Sequence, residues 1–180
     1  MFIFRALPFI LLISFPSLAK EVTATVTIEG TVSVPTCTVN SKISDGLSQT
    51  VDMGLETASS VISGSTKDID IPIIIHCLNT TGMNGISLSL STLGAYAPVG
   101  SSQPGAIKTS LEGVSVEMKW KNDSTPVSFN ADEKKQFPVN DSNIYDASII
   151  SKVLPIHGFS LASMEKGSFK SGVNITLSYF

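Results

Sequence analysis

Two stretches of the chain alternate apolar and polar residues with the two-residue period of a β-strand that buries one face. In the first, residues 22–34, Val22, Ala24, Val26, Ile28, Gly30, Val32 and Val34 fall on one side, and Thr23, Thr25, Thr27, Glu29, Thr31 and Ser33 on the other. In the second, Phe169, Val173, Ile175, Leu177 and Tyr179 share a side opposite Lys170, Asn174, Thr176 and Ser178. Between them the pattern predicts strands at 49–53, 69–77, 86–90 and 114–120, the last presenting Val114, Val116, Met118 and Trp120 on one face. Clusters of Gly, Pro, Asn and Asp separate these runs, as turns require. Residues 122–140 contain Pro126 and Pro138 and are predicted to hold one short strand, Val127–Phe129, between loops. Residues 149–161, interrupted by Pro155 and Gly158, are assigned to a sheet edge or bulge. Poor helical periodicity and about seven short strands together predict an all-β sandwich of the immunoglobulin type.

The first residues change the picture of where this protein works. Met1–Arg5 carry one positive charge, Ala6–Phe15 are apolar, and Ser17 and Ala19 are small, the layout of a secretory signal peptide over 1–19 with cleavage after Ala19. The apolar run is shorter than the roughly 20 residues a membrane helix needs. From Lys20 onward about 160 residues remain, the size of one domain. Without Arg5, the 12 Lys and Arg fall to 11 against 15 Asp and Glu, a formal charge of −4. No block of like charge is available to grip nucleic acid.

Cys37 and Cys77 are the only cysteines, and in an exported protein such a pair is expected to be oxidised to a disulfide. His76 and His157 do not stand at ligand spacing with them, so neither a metal nor any other cofactor is expected. There is no Gly-x-Ser-x-Gly elbow, zinc-binding helix or phosphate loop, and an enzymatic role is not expected.

A strand lying wholly before the first cysteine of a sandwich calls for a groove to receive its apolar row. If the core that begins near Cys37 is itself short of a strand, donation between neighbouring molecules answers both needs. At this point the chain resembles the pilins of the chaperone–usher pathway. The alternating extension leads through Gly30 to Val32-Ser33-Val34-Pro35-Thr36-Cys37-Thr38-Val39, like a donor strand followed by the first cysteine of a pilus subunit. Val51-Asp52-Met53-Gly54 is similar to an early strand of the family, and Ile71-Pro72-Ile73-Ile74-Ile75-His76-Cys77 to the strand that delivers the second cysteine. Gly167, fourteenth from the end, and Tyr179, next to last, look like the family's closing signature.

The resemblance implies an incomplete immunoglobulin-like pilin sandwich lacking its last strand, with an N-terminal donor-strand extension at 20–35 and the pilin domain at 36–180. It implies that Ala24, Val26, Ile28, Gly30 and Val32 are donated to a neighbour. It further implies that Gly167, Phe169, Val173, Ile175, Leu177, Tyr179 and Phe180 form the groove and chaperone-binding segment, with the carboxylate of Phe180 held by basic groups of the chaperone. The partners would be a periplasmic chaperone, an outer-membrane usher, neighbouring pilus subunits and, through the fibre, a host receptor. The destination would be a fimbrium at the cell surface, reached through the periplasm. The extension looks closer to minor and adaptor subunits of type 1 and P pili. A major rod pilin and a single-domain adhesin, with Trp120 and Tyr96 as the aromatics to examine, are the alternatives.

Overall fold

In the computed structural model the described residues are 36–40 and 48–180. The segments read as signal peptide (1–19) and donor extension (20–35), with Ala24, Val26, Ile28, Gly30 and Val32, lie outside them. The described residues fall within one compact unit. They form strands β1 (Thr36–Val39), β2 (Asp68–Ile71), β3 (Ile74–Asn79), β4 (Gly85–Thr92), β5 (Ala106–Lys108), β6 (Val114–Trp120), β7 (Lys135–Pro138), β8 (Ile144–Asp146), β9 (Ile149–Pro155) and β10 (Val173–Tyr179), with one short helix, α1 (Ala58–Ile62).

One layer of a sandwich is built from β1–β3–β8 and β2–β9–β6–β5. The two sets run on from each other, because β2 and β3 are parted only by Pro72 and Ile73, and β8 and β9 only by Ala147 and Ser148. Pro72 has no N–H to give a ladder, which accounts for the break. The gap is bridged by the Ala147 amide donating to the Ile73 carbonyl at 2.9 Å and the Ile73 amide donating to Ser148 Oγ at 3.2 Å. The other sheet is β10–β4–β7, with β4 in the middle. Inward side chains of both sheets make the main core: Ile75, Val116, Met118 and Trp120 on one side, Ile86, Leu88 and Leu90 on the other. A smaller cluster of Val61, Val114, Val153 and Met164 seats α1 against β9.

The sandwich has two distinct ends. At the first, Thr36 pairs with Asn79, the Val139 amide donates to the Asn84 carbonyl at 3.0 Å, and Phe180 closes onto Gly85. At the second, the Leu93 amide donates to the Gly172 carbonyl at 2.9 Å and the Ser110 amide to the Lys170 carbonyl at 2.8 Å. Every ladder among the described residues is antiparallel.

The strand expected at 114–120 is β6 residue for residue, and the one expected at 86–90 lies within β4. Four expectations fail. The strand expected across 69–77 is broken at Pro72 into β2 and β3, and residues 149–161, expected at a sheet edge or bulge, supply β9, an inner strand paired with both β2 and β6. Residues 49–53 are not a strand: the Asp52 carboxylate accepts the Gly54 amide at 2.9 Å, and Gly54 takes a φ of 74°, so a local turn replaces a ladder there. Val127–Phe129 is not a strand either, since only an isolated bridge joins Pro126 to Lys119, followed by the Val127 amide donating to the Met118 carbonyl at 3.0 Å.

Candidate functional site

β10 lies at the edge of its sheet and has β4 as its only ladder partner among the described residues. Its register sets Ile175 opposite Leu90, Leu177 opposite Leu88 and Tyr179 opposite Ile86. Residues directly opposite in an antiparallel pair point to the same face. Leu90, Leu88 and Ile86 are all buried in the core, so the Val173–Tyr179 odd-numbered row faces inward as well. Val173 and Leu177 do pack on the core, yet Ile175 and Tyr179 each remain 41 % exposed. Apolar side chains aimed at the interior but left half in water mark the open side of a sandwich, where a further strand would cover them.

The main chain tells the same story. Gly85 and Phe180 exchange both hydrogen bonds at 3.1 Å, and Leu93 bonds Gly172 at the other end of the strand. Such bonded pairs recur at every second residue of an antiparallel ladder. Gly172, Asn174, Thr176, Ser178 and Phe180 therefore turn their amides and carbonyls toward β4. Val173, Ile175, Leu177 and Tyr179 turn theirs toward the open edge. The same four residues thus present both an apolar row and a row of main-chain donors and acceptors to one gap.

Of the other residues singled out from the sequence, Phe169 precedes the strand and packs on both core clusters. Gly167 sits in the preceding loop at a φ of 150°. Phe180 extends the ladder, its main-chain oxygen accepting from the Asn84 amide at 2.5 Å as well as from Gly85. Its ring covers Gly85, where a Cβ would lie 2.7 Å from the ring edge. Cys37 and Cys77 form a disulfide that pins β1 to β3.

The rival aromatic candidates separate. Trp120 is core, edge-on to Phe137 at 6.3 Å with the Lys135 ammonium 5.9 Å from its ring, whereas Tyr96 is half-buried in the loop after β4. No group of three His, Cys, Asp or Glu capable of holding a metal occurs among the described residues, and no described helix is long and apolar enough to cross a membrane.

No protein-family model and no curated protein matches the chain. Solved structures do. The P pilus rod subunit PapA matches with a TM-score of 0.59 at 18 % identity, over 80 % of this chain and 99 % of that one. A subunit from a chaperone–usher pilus structure concerned with rod uncoiling matches with a TM-score of 0.62 at 18 % identity, over 92 % and 99 %. The P pilus adaptor subunit PapF matches with a TM-score of 0.52 at 15 % identity, over 81 % and 96 %. An all-β sandwich with one disulfide and a last strand that has a single ladder partner among the described residues, superposing on these proteins over nearly their full lengths, has the fold of the chaperone–usher pilins.

Proposed function

We propose that this protein is a structural subunit of a chaperone–usher fimbria and that it polymerises by donor-strand exchange. The observation that carries this reading is the β10 edge, where the inward residues Ile175 and Tyr179 stay exposed beside buried Leu90 and Ile86. The occupant we assign is the segment 20–35 of a neighbouring subunit, running antiparallel to β10 and lending Ala24, Val26, Ile28, Gly30 and Val32. Val26, Ile28 and Val32 would each contribute about 1.5 to 3 kcal/mol on full burial. The main-chain ladder adds register, and Gly30 allows close approach where a Cβ would hold the strands apart. Before assembly a periplasmic chaperone would hold the same edge, and the usher would be the site of exchange. Export through the periplasm to the cell surface follows from the signal peptide reading.

Whether the subunit is an adaptor or part of a rod is a finer matter. The sequence of the extension favours a minor or adaptor role, while the fold matches rod and adaptor subunits alike. The test is uptake of a synthetic peptide spanning Lys20–Pro35 by the chaperone-bound subunit. We expect the peptide to displace the chaperone and the Ile28→Asp peptide to fail. Equal uptake of both peptides, or of neither, would refute the assignment.

A further inference from the structure

Beyond the groove, the structure carries an exposed apolar patch at the end of the sandwich where Thr36 emerges. Leu78 is 80 % exposed although it lies within a strand, and Ile144 is 42 % exposed. The two belong to one surface: Ile144 stands opposite His76, and Leu78 is the next outward residue along β3. Such diagonal neighbours lie about 7 to 8 Å apart. Leu78 sits at a bulge, where the β1–β3 register shifts between Thr36 and Cys37, and a bulge re-aims its side chains. Asp141 is the one formal charge in the turns of this end, 79–84 and 139–143.

At the opposite end, beside the start of β10, Leu93 is 49 % exposed and lies against Gly172, with Lys170 next to it in the approach to the strand. We infer that these two ends are complementary docking faces, and that Leu78 and Ile144 of one molecule seat on the Leu93 face of a second copy of this chain. The inference rests on the proposed strand exchange, because the length of the tether decides the geometry. If the donated row ends at Val32, the residues leading to Thr36 span at most about 14 Å. An antiparallel donor leaves the groove at the beginning of β10, which is the Leu93 end. Thr36, with Leu78 one residue from its partner Asn79, is thereby held within reach of that face. Asp141 and Lys170 then have opposite signs across the contact.

The experiment places a photo-crosslinking amino acid at Leu78 or at Ile144 of the full chain, lets purified subunits exchange strands, and maps the linked peptides by mass spectrometry. Links to residues 93–97 or 168–172 of the neighbouring copy are expected. A Leu78→Asp, Ile144→Asp double variant should take up the Lys20–Pro35 peptide at the normal rate but dissociate from its neighbour about tenfold faster. Strand-exchanged pairs that give no such links, and whose dissociation the double variant leaves unchanged, would overturn the docking faces while leaving the proposed function intact. Copies that never pair, although the peptide is taken up, would exclude a second copy as the occupant. Failure of peptide uptake would remove the reading on which the inference rests.

Discussion

Gly85 shows how much can hang on an absent side chain. β4 is flanked on both sides at this point, and a Cβ there would stand 2.4 Å from the Phe137 carbonyl and 2.7 Å from the Phe180 ring. Gly85→Ala must part the strands or expel Phe180, so we expect a loss of roughly 1 to 3 kcal/mol, read as a lower denaturation midpoint with unchanged slope. Asp123 offers a residue-scale test of electrostatics. Hydrogen bonds from Lys135 and then from the Thr125 hydroxyl and amide hold its carboxyl down at about 2. Because the folded value lies below the ordinary one, the contribution to stability is complete above the usual carboxylate range and fades as pH falls toward 2. The group is exposed and the effect is screened. An NMR titration should find Asp123 ionised well below pH 3, and Lys135→Met should return it toward the ordinary value.

Among the elements, β10 carries inward residues of two kinds, some packed on the core and some half in water. Leu177 packs on the core opposite Leu88, and Leu177→Ala should cost about 2 kcal/mol in the subunit alone. Ile175 is half in water, so Ile175→Asp should cost the isolated subunit less than about 1 kcal/mol by denaturation, yet abolish binding of the Lys20–Pro35 peptide. If Ile175→Asp destabilised the subunit as much as Leu177→Ala, the edge would already be covered. The elements also show what a sequence can and cannot announce. β6, β4 and β10 are long enough for alternation to speak, whereas the apolar run 69–77 reads as one strand and hides the break that Pro72, with no N–H to give, makes between β2 and β3. β5, β7 and β8 have only three or four residues each, too few for a period to register. The helix α1 has only a faint signal in the sequence: Thr57 caps it, with the Ser60 amide donating to Thr57 Oγ1 and the Thr57 amide donating to Ser60 Oγ, each at 3.0 Å. That is a capping box in which Ser stands where Glu or Gln is usual. The candidate site was legible as an apolar row, while its openness was expected only through the family resemblance. Nothing in the spacing of Val173, Ile175, Leu177 and Tyr179 says that two of them would stay in water, since that depends on how the other described residues pack around them.

Across the whole molecule, the disulfide joins residues 40 positions apart and fixes the four-residue β1 to the sandwich. On the chain-entropy account a loop of this length contributes about 4 kcal/mol. Replacing both cysteines by Ala should lower the unfolding free energy by roughly 2 to 4 kcal/mol, measured in urea.

The coincidence of side-chain row and hydrogen-bonding row on β10 has a further consequence for anything that fills the gap. A filling strand can shift along this edge only by two residues at a time, about 6.6 Å, because an odd step would present its polar face to the core and mismatch its amides. The rise from one molecule to the next in a chain so assembled is therefore digital: it can jump by a full notch, but it cannot creep.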